Sequence, residues 1–143
     1  MNDEMVIAKI RKTAVSEVWV VVKTYAGRRL CDVREYFHPA DGTGWLPTKK
    51  GVSFPKELVG KAVDAAERLS GELSVADVAE IPRGKNAKIC FAIREFEHHI
   101  CGEIRTYYRQ QEDAEWTHGK GVTLPLAMLG KLAEALRLAE DQT

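Results

Sequence analysis

Val33-Arg34-Glu35-Tyr36-Phe37 recurs in the second half of the chain as Ile104-Arg105-Thr106-Tyr107-Tyr108. Lys50-Gly51-Val52-Ser53-Phe54-Pro55 recurs as Lys120-Gly121-Val122-Thr123-Leu124-Pro125. Working outward, Trp45 stands between the first pair of segments and Trp116 between the second. Gly60-Lys61 answers to Gly130-Lys131, and Tyr25 at the end of VVVKTY answers to Phe96 at the end of FAIREF. Even the lead-in matches weakly, Ile7 to Ile10 against Val78 to Ile81. Matches kept in one order along two halves are the mark of a duplicated unit, here with a period of about 70 residues. The expected organisation is a first repeat over residues 1–69, a connection over 70–77 and a second repeat over 78–143.

Each repeat reads as strands followed by one helix. Residues 18–25 are rich in Val with an aromatic end, a strand signal. Ala26 to Arg29 makes a turn, and LCDVREYF returns as a second strand. His38 to Gly44 is a loop by its Pro, Asp and Gly content. Trp45 and KGVSF point to one or two further short strands. Pro55 is expected to start a helix, where its missing N–H costs nothing. Leu58, Val59, Ala62, Val63, Ala66 and Leu69 then recur at helical spacing, as do Met128, Leu129, Leu132, Leu136 and Ala139. A unit of about 65 residues is marginal as a lone core. The apolar helix faces therefore predict that the two repeats pack on each other.

Composition narrows the function. The chain has 143 residues, 45% of them hydrophobic, so a packed core is within reach. No apolar run exceeds the length of Val18 to Val22, far too short to cross a membrane, and the N-terminus has no secretory pattern. The cytoplasm is the expected location, with nucleoid association if the host is bacterial. Three cysteines, Cys31, Cys90 and Cys101, with no CxxC pair, read as free thiols. His98, His99 and Cys101 lie near a hairpin turn, where adjacent ligands rarely converge on one ion. No metal site, cofactor motif or catalytic constellation is legible, and the expectation is a protein that is not an enzyme.

Basic and aromatic residues alternate instead: Lys23, Tyr25, Arg28, Arg34, Phe37, Lys49 and Lys50 in the first repeat, then Arg94, Phe96, Arg105, Tyr108 and Lys120 in the second. A sheet with rings among cations is what a single strand of nucleic acid requires, because bases stack on rings at about 1–3 kcal/mol each while cations follow the phosphates. Trp45, Trp116, Tyr36 and Tyr107 are read as core. Net charge is zero, so a site must come from local clustering. Residues 17–54 carry six Lys/Arg against four Asp/Glu, and residues 84–124 carry six against six. On that count the first repeat is the better electrostatic site, and Lys50 should matter more than Lys120.

VREYF with KKGVSF, and IRTYY with GKGVTL, resemble the C-terminal domain of the transcriptional coactivator positive cofactor four, a family with small bacterial members. The resemblance spans nearly the whole chain, twice. It implies an α+β fold with two repeats of a four-stranded antiparallel sheet and one helix, packed as an intramolecular pseudo-dimer. It implies single-stranded DNA across the paired sheets, and DNA contacts at Tyr25, Arg34, Phe37, Lys50, Phe96, Arg105, Tyr108 and Lys120. Two departures stand out: the family's tryptophan is Phe37 and Tyr108 here, and the Glu after the arginine is Thr106 in the second repeat. The expected function is single-strand binding with little sequence preference, as an accessory in transcription, replication or repair. RNA is the alternative ligand, and a protein-interaction module of the same fold is the alternative class. Transcription machinery and a further homodimer are candidate partners.

Overall fold

The computed structural model describes residues 3–143. β1 (Met5–Thr13), β2 (Ser16–Tyr25), β3 (Arg28–Phe37) and β4 (Leu46–Pro55) form one antiparallel meander in the order β1-β2-β3-β4. A 3-10 turn (Lys56–Leu58) leads into α1 (Val59–Ser70). The second half repeats this with β5 (Ala76–Pro82), β6 (Ala87–Phe96), β7 (His99–Tyr108), β8 (Thr117–Pro125), a 3-10 turn (Leu126–Met128) and α2 (Leu129–Glu140). The first strand of each sheet comes from the weakly matched lead-in. Pro55 does not open the helix as the sequence predicts. It ends β4 and precedes the 3-10 turn, and α1 begins at Val59. Between α1 and β5 only residues 71–75 lie outside regular elements, which trims the expected connection at both ends.

Strand alternation divides each sheet into two faces. Val18, Val20 and Val22 are fully buried on the helix side of β2, where Val20 pairs with Val33 and Val22 with Cys31. One apolar core runs through both halves. The helices lie against each other, Val59, Ala62, Ala66 and Leu69 of α1 facing a partner that buries Leu129, Leu132, Leu136 and Ala139. Arg137 of α2 pairs with Glu67 of α1. The helices also cross over: α1 packs on β5 and β6, and α2 on β1 and β2. Phe54 of β4 meets Phe91 of β6 with ring centroids 6.0 Å apart. Each half thus covers the apolar face that the other leaves open, giving the pseudo-dimer that two marginal units need. The sheets stay separate, with β4 and β8 side by side. No helix among the described residues is long and apolar enough to cross a membrane.

Candidate nucleic-acid interface

Away from the helices, β2 presents Glu17, Trp19, Val21, Lys23 and Tyr25, and β3 presents Leu30, Asp32, Arg34 and Tyr36 beside them in register. Arg34 is held from three directions. Its Nε donates to Asp32 Oδ2 at 2.9 Å, its Nη2 to Asp32 Oδ1 at 3.0 Å and its Nη1 to the Thr48 carbonyl at 2.9 Å. Asp32 is buried and also accepts from Ser53 Oγ at 2.7 Å. Gly51 makes room for this arrangement, since a Cβ there would sit 2.7 Å from the Arg34 guanidinium carbon. The second sheet repeats the device: Arg105 donates to Glu103 at 3.1 Å and to the Gly119 carbonyl at 2.8 Å. Both arginines are fixed, planar donors whose charge an acid largely balances. Among the described residues, Lys23, Arg28, Lys49, Arg83 and Lys120 make no ion pair, while Lys50 lies 4.0 Å from Glu35.

Among the described residues the exposed aromatic side chains are four, at equivalent places in the two repeats. Tyr25 is 71% exposed, Phe37 43%, Phe96 46% and Tyr108 50%. Tyr25 and Phe96 flank two-residue hairpin turns, opposite Arg28 and His99. Those turns take positive φ at Ala26 and Gly27, and at Glu97 and His98, as a tight hairpin requires. Phe37 and Tyr108 end β3 and β7 on the opposite, helix-side face, just past the points where β4 and β8 bulge against Arg34/Tyr36 and Arg105/Tyr107. Tyr108 lies beside Tyr25 and Arg34 of the other half. Tyr108 lies over Gly119, where a Cβ would come within 2.6 Å of its ring.

Two clefts are each built from both halves. One is lined by Tyr25, Leu30, Arg34 and Ser53 of the first half with Arg83, Tyr108 and Lys120 of the second. Its two contiguous parts, the outer one also lined by Arg28, measure about 290 and 510 Å³. The other, about 570 Å³, joins Phe96, Cys101, Arg105 and Thr123 of the second half to Lys49 and Lys50 of the first. Lys120 lines both. Lys12 bridges the halves at the second cleft, its Nζ 2.7 Å from Glu35 and 3.0 Å from Thr123 Oγ1. The corresponding place at the first cleft holds Arg83 and Thr106, a cation without the balancing acid. The half-by-half charge count therefore does not describe either cleft. Sequence reasoning missed Lys12, Arg83, Ser53 and Thr123. Each pair recurs in the repeat, a basic residue with a basic one and a hydroxyl with a hydroxyl, and that recurrence is the signal that points to them.

Four aromatics read as core lie elsewhere. Trp45, Trp116, Tyr36 and Tyr107 are half-buried and outside the apolar core. Trp45 meets Arg11 and the edge of His38, and Trp116 lies between Lys88 and Arg109 at 4.5 and 4.3 Å. Strand parity places Tyr36 and Tyr107 on the arginine side of each sheet, away from the helices. Arg94 is paired with Asp77 at 2.6 Å, which raises its pKa, and lies 3.9 Å from Glu103. Burial, and then Glu103, raise the pKa of the Cys101 thiol in the second cleft. Burial also raises Tyr36, with Asp32 next in weight. Among the described residues no three His, Cys, Asp or Glu side chains gather as metal ligands would.

The profile of the family described as Transcriptional Coactivator p15 (PC4) matches residues 16–63, from the start of β2 into α1. Among solved structures the chain is similar to the crystal structure of a PC4 homolog from Burkholderia pseudomallei, 30% identical over 95% of that chain and 50% of this one, with a TM-score of 0.45. The chain belongs to the PC4 family. As a PC4 family member it carries the sheet-and-helix unit twice, and one copy of the homolog spans half of it. No curated protein matches the chain.

Proposed function

We propose that this PC4 family protein binds single-stranded DNA with little sequence preference, as an accessory to transcription, replication or repair. The observation that carries the reading is the placement of three exposed aromatic rings, Tyr25, Phe96 and Tyr108, in clefts furnished with cations, with Phe37 exposed at the place in its own repeat that Tyr108 holds in the other. Exposing a ring of that size to water is unfavourable unless a ligand covers it. Unpaired bases supply such cover, and Lys49, Lys50, Lys120, Arg28 and Arg83 supply counter-charge for their phosphates. Arg34 and Arg105 act as fixed donors, and Lys23 and Arg94 flank the rings. Duplex DNA keeps its bases stacked inside and cannot use the rings.

The neutral chain as a whole favours local capture over coating, which suits a reader of short melted segments. Titration of a labelled, unstructured oligonucleotide, its duplex and the RNA of the same sequence tests the reading. The expected order is single-stranded DNA well above duplex. Equal affinity for both DNA forms would refute it, and tighter RNA binding would move the ligand to RNA. No binding of any of them at low salt would leave a protein-interaction module of the same fold.

A further inference from the structure

The outer faces of the two sheets differ sharply at one point. In the first, Trp19 stacks on Tyr36 with ring centroids 3.9 Å apart and planes 12° from parallel. Lys9 covers the indole at 4.3 Å, and the indole N–H donates to Glu17 at 2.9 Å. Trp19 pairs with Arg34 and Lys9, and Glu17 with Tyr36. In the second sheet the residue paired with Arg105 and Glu80 is Cys90, and Lys88 pairs with Tyr107. Cys90 thus holds the place of Trp19, and Tyr107 that of Tyr36. A thiol is far smaller than an indole, so the ring's place stands open. The result is a cavity of about 410 Å³, lined by Cys90, Tyr107, Trp116, Lys88, Arg94 and Glu80 among others.

We propose that this cavity receives one unstacked nucleobase of the bound strand, stacked on Tyr107 as Trp19 stacks on Tyr36. The first sheet shows which shape the place accepts: a flat, two-ring aromatic of a purine's size. Trp116 adds a second aromatic wall, braced by Lys88 and Arg109. The rim selects for a base over a phosphate. Lys88 is paired with Glu80 at 3.2 Å and Arg94 with Asp77 at 2.6 Å, so the rim holds its cations already balanced. A neutral ring fits there, while the strand's phosphates lie toward Lys120. Trp19 closes the same place in the first sheet, so the two sheets bind unequally. This inference rests on the single-strand reading above.

The test is fluorescence anisotropy with a labelled, unstructured adenine-containing DNA oligonucleotide at low salt. Cys90→Trp plugs the cavity with the side chain that its counterpart carries. Tyr107→Leu removes the stacking face, and Tyr36→Leu is the control at the plugged counterpart. A lost stack of about 1–3 kcal/mol corresponds to about 5- to 150-fold in affinity. Cys90→Trp and Tyr107→Leu are each expected to weaken binding by at least about fivefold, and Tyr36→Leu by clearly less. Should Cys90→Trp fail to fold, the comparison of Tyr107→Leu with Tyr36→Leu decides. Wild-type affinity in folded Cys90→Trp, or equal losses in the two leucine variants, would overturn the site and leave the single-strand reading standing. An unbound wild-type chain would overturn both.

Discussion

Lys12 Nζ, at the end of the first sheet's opening strand, lies 3.0 Å from Thr123 Oγ1 on the outer face of the second sheet. The contact spans the two repeats, and it shows how each half completes a cleft that the other begins. Lys12 is also 2.7 Å from Glu35, so its charge is balanced there. Lys50 sits near the same carboxylate, whereas Lys120 makes no ion pair and lines both clefts.

From that geometry, Lys120→Glu is expected to weaken single-strand binding more than Lys50→Glu. This reverses the order expected from counting charge along each repeat. Lys120→Glu places an anion between two clefts, while Lys50→Glu changes one where Glu35 already lies. A close phosphate contact is worth on the order of 1 kcal/mol, so the gap between the variants should reach several-fold. Parallel titrations at low salt check it.

Asp32 carries a stability role in addition to holding Arg34 in place. It is 1% exposed and accepts hydrogen bonds from Arg34 and Ser53. Asp32→Ala leaves a half-buried guanidinium without its acid, and the expected loss is about 3 kcal/mol in urea unfolding. Arg34 should then also lose its fixed orientation, so affinity for a single strand falls as well.

Burial pushes the Cys31 thiol up to about 12, with Asp32 adding to the rise. The folded state holds the proton more tightly than the unfolded chain, whose thiol titrates near its ordinary value. Stability from this group is therefore complete below about pH 8.5 and declines as pH climbs through the interval up to about 12. The slope it contributes is about 1.4 kcal/mol per pH unit. Tyr36, also raised, acts in the same sense at higher pH. Cys31→Val should flatten the decline between pH 9 and about 10 in denaturant melts.

Sequence reading reached the repeat, the strand-helix order and the paired helices because VREYF, KGVSF and the helical spacing each recur intact. It singled out the four exposed rings through their match to the family's pattern at corresponding places of the two repeats. The crossing of the halves was out of reach. Alternation fixes which side of its own sheet Tyr108 occupies, but not that its ring lies beside Tyr25 and Arg34 of the other half. Counting charge along each repeat likewise does not see that Arg83 lies beside Tyr25 and Lys50 beside Phe96. The Trp19-to-Cys90 difference was visible in the chain. Its meaning was not, until the stack on Tyr36 showed what the thiol leaves open.

The most direct measurement of single-strand capture by these clefts is the salt dependence of binding to an unstructured DNA oligonucleotide. Three or more phosphates held by Lys49, Lys120, Arg83 and their neighbours give a slope of log K against log salt of about −2 or steeper, near −0.7 per contact. Lys120→Glu should make that slope shallower. A slope near zero, or one unchanged by Lys120→Glu, would contradict capture of the strand by these cations.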